Sequence, residues 1–398
     1  MSEVTVMPAK DKSSANNGAA DSPLLKVNNL RIGADIAFPG EDSRHMVIVD
    51  DVSFELQKGH VLGLIGESGA GKSTIGLSSM AYGRGGCEIT GGEVWLNGEN
   101  LLDLNSKQVR QVRGVNVAYV AQSAAAAFNP AHRLGDQVIE SALEHGLMSR
   151  KEARALANQL FTKLGLPDPE NIGKRYPHQV SGGQLQRAMT AMALCSKPDL
   201  IVFDEPTTAL DVTVQKQVLE LIKSLQKKMN MSVILISHDL NVVRHYADDM
   251  AVMHQGKIIE QGKTADVFNH PQQEYTRELI DSEPSGQPMA LADNAATLLT
   301  ADNINVWFPT KTNFWGKTTD YLKAVKDISI ELKAGETLGI VGESGSGKTT
   351  FGLAILKLLS STGNVEFLGE KIDSLNQAQF RPFRKELQIV FQDPFSSM

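Results

Sequence analysis

The sequence predicts a duplicated α/β fold in which a mostly parallel sheet carries a phosphate-binding loop, and three observations predict it. The octets GESGAGKS at residues 66–73 and GESGSGKT at residues 342–349 both fit the spacing Gly-x-x-x-x-Gly-Lys-Ser/Thr. The longer stretch DVSFELQKGHVLGLIGESGAGKST (51–74) returns without gaps as DISIELKAGETLGIVGESGSGKTT (327–350), so a whole domain has been copied. Residues 61–65, 200–203 and 233–236 are continuous apolar runs instead of alternating ones, as expected for strands covered by helices on both faces. In each copy a short apolar run, 61–65 or 337–341, leads into the loop, and a helix-compatible segment follows it. That is the strand-loop-helix context the motif needs.

The loop chemistry explains its residues. Glycines let backbone N–H groups turn inward around an anion, the lysine reaches the β- and γ-phosphates, and the following hydroxyl reaches Mg²⁺. The candidate nucleotide-binding residues are therefore Gly66, Glu67, Ser68, Gly69, Ala70, Gly71, Lys72, Ser73 and Thr74 in the first copy. In the second they are Gly342, Glu343, Ser344, Gly345, Ser346, Gly347, Lys348, Thr349 and Thr350. ATP and Mg²⁺ are the expected ligands, with Ser73 and Thr349 as metal-binding hydroxyls.

Composition sets the bounds. With 398 residues, 41% of them hydrophobic, the chain can bury more than one core. The 39 basic and 46 acidic residues give a net charge of −7, which argues against a nucleic-acid surface. Cys87 and Cys195 are too few for a disulfide framework, a zinc site or an iron–sulfur cluster. No run of roughly 18 or more apolar residues and no signal-peptide core occurs, so a membrane role has to come through partner chains.

Along the chain, residues 1–23 are small and polar and read as a disordered tail. Residues 24–280 form the first domain, 281–295 (DSEPSGQPMALADNA) a linker, and 296–398 the second copy. Val214, Val218, Leu221, Ile222 and Leu225 recur at helical spacing after Asp211 and predict an amphipathic helix on the sheet. Residues 133–176 are rich in helix formers and suggest an inserted helical subdomain. AVMHQGKIIEQ predicts a hairpin turning at Gln255 and Gly256.

Other motifs narrow the class. LIVFDE puts Asp204 and Glu205 at the carboxyl end of an apolar strand, where open α/β sheets bind ligands. Asp204 is suited to hold Mg²⁺, and Glu205 to polarise the water that attacks the γ-phosphate. Isolated, such a pair would read as ordinary surface acids; the loop upstream changes that. SGGQ predicts a helix from Gln184 onward, so that Ser181 and the amides of Gly182 and Gly183 face out of its positive end as an anion-binding N-terminus, with a plain cap as the alternative.

Together GESGAGKS, Gln122, SGGQLQR, LIVFDEPT, TTALD and ISHD resemble the ATP-binding-cassette (ABC) ATPase family across nearly all of residues 24–398. The resemblance implies a P-loop NTPase fold with a mostly parallel core sheet, an antiparallel β subdomain and a helical subdomain. It implies that Ser181, Gly182 and Gly183 contact, in trans, the γ-phosphate of ATP held by another domain's loop, forming a nucleotide sandwich. It also implies that Gln122 is a metal- and γ-phosphate-reporting glutamine, with Gln392 its counterpart in the second copy. The resemblance further implies that Asp211 crosses the dimer interface, with capping of the following helix the alternative reading, and that His238 contacts the γ-phosphate and organises water.

More narrowly, RYPHQVSGGQLQR, DEPTTALDVTVQ and HPQQEYTRELI are similar to ATPases of peptide, dipeptide and nickel importers, in the fused form of oligopeptide, glutathione or microcin C systems. The partners this implies are two integral membrane permease subunits and a periplasmic or lipid-anchored substrate-binding protein. The location implied is the cytoplasmic face of a bacterial inner membrane. VAQSAAAAFNP departs from the usual FQDP or FQEP at the first glutamine, which puts its contact surface in question. His45 and Tyr321 are the available aromatic partners for adenine.

The second copy ends at Met398, before any second SGGQ, Asp-Glu strand end or histidine, so it is expected to be truncated. On that reading the chain binds ATP, turns over poorly unless first domains of two chains pair, and exposes apolar strands in its second copy. A nucleotide-binding chain without turnover is the competing function, and a non-transport ATPase acting on ribosomes or DNA a more distant one.

Overall fold

The computed structural model describes residues 22–36, 44–206, 212–282, 286–287, 290–292, 294–312, 318–343 and 345–391. Its contacts divide into two compact units, one of residues 1–210 and 214–283, the other of 211–213 and 284–398.

In the first unit, β1 (Leu25–Ile36), β2 (Arg44–Leu56), β4 (Cys87–Leu96) and β5 (Glu99–Asn100) form an antiparallel sheet in the order β2-β1-β4-β5. The second sheet holds β3 (Val61–Ile65), β6 (Val117–Val120), β7 (Leu200–Asp204), β8 (Ser232–Ile236), β9 (Asp249–His254) and β10 (Lys257–Lys263). Its order is β10-β9-β3-β8-β7-β6, parallel throughout except for the β9–β10 hairpin. Every residue of β3, β7 and β8 is buried, which is why their sequences are continuously apolar.

Helices cover this sheet. α1 (Lys72–Ser78) follows the first loop and packs over β7 and β8; α2 (Ser106–Val112) and the single turn α3 (Ala124–Ala127) come next. The helical subdomain consists of α4 (Leu134–Glu144) and α5 (Arg150–Lys163) against α6 (Gly182–Cys195). Val138, Ile139, Ala142, Ala157, Leu160 and Phe161 meet Leu185, Ala188 and Met189 in one apolar core. α7 (Val212–Met229) buries Val218, Ile222 and Leu225 of the predicted stripe on the same core, with Val214 and Leu221 half-buried against it. α8 (Leu240–Tyr246), α9 (Thr264–Asn269) and α10 (Glu274–Asp281) complete the unit.

In the second unit, β11 (Thr297–Thr312), β12 (Thr318–Lys333), β13 (Thr362–Phe367) and β14 (Glu370–Lys371) form an antiparallel sheet in the order β12-β11-β13-β14. α11 (Lys348–Ile355) follows the second loop, and α12 (Gln377–Phe380) packs its Phe380 into a core with Leu299, Ile304, Phe351 and Val365.

The apolar run at 337–341 is a correction to the sequence reading: no strand forms there. Its counterpart β3 lies between β8 and β9, whereas no parallel neighbour flanks 337–341 among the described residues. Val341 is 93% exposed and Val390, in the second apolar run of this unit, 97%. An apolar run becomes a strand only when partners satisfy its backbone, and without them it stays extended and solvated.

Candidate active site

Parallel strands end on the same edge of a sheet, and here four of those ends carry the polar residues. Register pairs Val120 with Phe203, Asp204 with Ile236, and Leu64 with Ile236. The first loop after β3, Gln122 after β6, Glu205 after β7 and His238 after β8 therefore leave the sheet along one edge. His238 stands two residues beyond its strand, which ends at Ile236.

Gly66, at φ +143°, opens the loop, and a Cβ there would sit 2.2 Å from the Met253 carbonyl oxygen. Only glycine lets the chain pass so close to β9. The Lys72 ammonium donates to the Gly66 and Glu67 carbonyls, both at 2.7 Å, and the residue is 6% exposed. Burial lowers its pKa from the ordinary 10.5, opposed by the nearby negative charges of Glu205, Asp204 and Glu67.

Asp204 is 3% exposed and accepts two hydrogen bonds, from the Ser73 hydroxyl at 2.9 Å and the Tyr119 hydroxyl at 2.5 Å. Burial and the Asp204 carboxylate push the Tyr119 phenol well above its ordinary pKa, so it stays a donor. Glu205 adopts a left-handed backbone at φ +48°, with its N–H on the Ile236 carbonyl at 3.0 Å. This conformation is sparsely populated outside glycine and asparagine, and it turns the side chain away from the line of β7. Gln122 donates to one Glu205 oxygen at 2.8 Å, and His238 Nδ1 lies 3.3 Å from the other.

The structure thus brings Lys72, Ser73, Gln122, Asp204, Glu205 and His238 into one cluster. Tyr119 belongs to it too and was missed; its only signal was a polar-tipped aromatic in a strand three residues before Gln122. Ser181 caps α6 by accepting from Gln184 N–H at 3.3 Å, while the Gln184 side chain accepts from Ser181 N–H at 3.2 Å. The helix opens at Gly182, two residues earlier than the sequence reading had it. Gln186, 2% exposed, donates to the Ala121 carbonyl at 3.3 Å and ties α6 to the segment before Gln122.

The second loop repeats the first locally. Lys348 donates to the Gly342 and Glu343 carbonyls at 2.7 Å, and Gly347 has φ +94° against +97° at Gly71. Its surroundings differ, since Thr349 is exposed. Asp211, Ser344 and Gln392 lie outside the described residues. His45 is held by Asp35 at 2.9 Å with its ring over Gly33, so it is engaged along β1. Tyr321 is exposed beside Trp307, at 6.1 Å between ring centroids.

The donors beside the first loop suit a small hard cation. Ser73 and Asp204 offer oxygen only, and no group of three or more His, Cys, Asp or Glu placed to hold a metal by itself occurs among the described residues. Magnesium takes one or two carboxylates together with phosphate oxygens and water, so this set fits it.

A phosphate loop backed by a strand-end Asp–Glu pair on a parallel sheet defines a P-loop ATPase. The chain belongs to the ABC transporter family, whose description it matches over residues 49–208 and 325–398, and it is an ATPase of that family. It is 42% identical to the peptidoglycan transport ATP-binding protein YejF of Agrobacterium fabrum, over 94% of this chain and 68% of that protein. It is 37% identical to the glutathione import ATP-binding protein GsiA of Escherichia coli, over 98% of this chain and 66% of that protein. The chain therefore spans about two thirds of the length of these relatives. Among solved structures it is similar to an ATP-binding cassette dimer in a post-hydrolysis state bound to ADP and Pi. That likeness has a TM-score of 0.53 at 25% identity and covers 60% of this chain and 98% of that one. No helix among the described residues is long and apolar enough to cross a membrane.

Proposed function

We propose that this chain binds ATP with Mg²⁺ at its first phosphate loop, hydrolyses it there, and powers import of peptides or related small solutes through two integral membrane permease subunits. The observation that carries the reading is the joint hold on Glu205: Gln122 and His238 each address one of its oxygens while Lys72 lies close by. Such a carboxylate is oriented to accept a proton from water as that water attacks the γ-phosphorus and ADP leaves. Lys72, with three ammonium protons, has one more than its two loop carbonyls take, and it steadies the phosphate charge. Ser73 and Asp204 would hold Mg²⁺, which when bound neutralises phosphate charge and aligns the leaving group.

The relatives named for peptidoglycan transport and glutathione import support the solute class and, with it, a substrate-binding protein delivering cargo to the permeases. They also support a peripheral position on the cytoplasmic face of a bacterial inner membrane. The dimeric cassette among the structural neighbours supports pairing in which the Ser181–Gly183 helix tip closes on nucleotide held by another domain. We assign 24–280 as the first cassette, 281–295 as the linker and 296–398 as the second.

Glu205→Gln tests the assignment, with hydrolysis followed over a range of chain concentrations so that pairing is visible. ATP binding should persist while turnover falls by about 10²- to 10⁴-fold, the size of a lost general base. A variant that hydrolyses ATP as fast as the unaltered chain overturns it.

A further inference from the structure

The activity proposed above leaves the tail of the first unit without a role, yet that tail touches the phosphate loop. The turn before α10 is anchored to β10: the Gln272 and Gln273 amides donate to the two oxygens of Glu260 at 2.8 and 3.1 Å. The Arg277 guanidinium closes the turn on the Pro271 and Gln272 carbonyls, each at 3.1 Å. Thr276 is fully buried, and the neighbouring Tyr275 lays its ring on His254 at the end of β9, with ring centroids 4.1 Å apart. From there the Tyr275 hydroxyl accepts the Glu67 N–H at 3.1 Å.

Glu67 is therefore held from both sides. Its amide is fixed by the tail, and its carbonyl accepts the Lys72 ammonium at 2.7 Å. Any turn of Lys72 toward a phosphate weakens the second contact and leaves the Ala70 N–H, at 3.2 Å on the same carbonyl, and the Tyr275 hydroxyl holding that residue.

We propose that Tyr275 is a positioning residue for the first phosphate loop: by accepting the Glu67 amide it pre-shapes the cradle from outside and lowers the cost of binding nucleotide. The inference rests on the nucleotide reading of this site, and it makes α10 part of the loop's support. Preorganisation of this kind acts on affinity, since the unbraced loop must be ordered when the ligand arrives.

The test is Tyr275→Phe, which keeps the ring on His254 and removes the acceptor. It is made in the full chain on a Lys348→Ala background so that only the first loop is read. Amide exchange at Glu67 without nucleotide should quicken about fivefold, the size of one neutral hydrogen bond. ATP affinity should fall by a similar factor, with KM rising and kcat nearly unchanged. Glu260→Ala, which frees the turn and keeps the hydroxyl, should move both readouts the same way and covers the case in which the first variant folds poorly. Unchanged exchange at Glu67 overturns the contact, and quicker exchange with unaltered ATP affinity overturns its positioning role. Failure of the background chain to bind ATP at all removes the nucleotide reading and the proposal with it.

Discussion

Replacing Tyr119 with phenylalanine isolates one hydroxyl whose worth can be worked out from its surroundings. The Tyr119 hydroxyl donates to Asp204, which is 3% exposed and has the Ser73 hydroxyl on its other oxygen. Water cannot easily replace a donor at such a carboxylate, so the variant loses a charge-assisted bond and leaves an oxygen under-satisfied. A hydrogen bond to a charged group contributes about 1.5–3 kcal/mol. A domain of this size shifts by about 2–4 °C per kcal/mol, so the first unit should melt about 3–12 °C lower. Calorimetry or circular dichroism without nucleotide reads the shift directly. Ser73→Ala should cost less alone, and the pair should depart from additivity by at least about 0.5 kcal/mol, since both act on one carboxylate. A Tyr119→Phe chain melting within 1 °C of the parent would mean that Asp204 finds water after all, and the account of a closed, dry carboxylate would be wrong.

Two further outcomes follow from the buried titrating groups. Burial holds the Lys72 pKa below its ordinary 10.5, so the folded chain releases that proton before the unfolded chain does. Between the two values the unfolded state binds more protons, so this group's contribution to stability rises with pH there. ATP binding at the first loop, measured without divalent cation on the Lys348→Ala background, should already weaken below pH 10.5. Constant affinity up to that pH contradicts the burial account. The Cys195 thiol is pushed up to about 11 by burial, whereas Cys87 is half-buried. Iodoacetamide at pH 8 should therefore label one cysteine in the native chain and both after denaturation; two labels on folded protein would show that the α6 core opens.

The sequence was most informative where the physics is local. Glycine spacing announced both loops, because few other residues adopt the turns at Gly66, Gly71, Gly342 and Gly347. Unbroken apolar runs announced β3, β7 and β8, and a helical stripe announced α7. Gln122, Glu205 and His238 were legible as motif residues, but their convergence on a single carboxylate was not.

What the chain by itself determined was a pair of phosphate loops, the family, and the order of the chemical parts. Tertiary structure decided which hydroxyls support those parts: Tyr119 reaches Asp204 across 85 residues and Tyr275 reaches Glu67 across 208. It also decided that 61–65 becomes a strand while its near-copy at 337–341 does not. The reason is common to both. A side-chain contact between distant segments, like a strand in a parallel sheet, exists only through a neighbour brought in by the fold, and no local pattern of residues encodes that neighbour's presence.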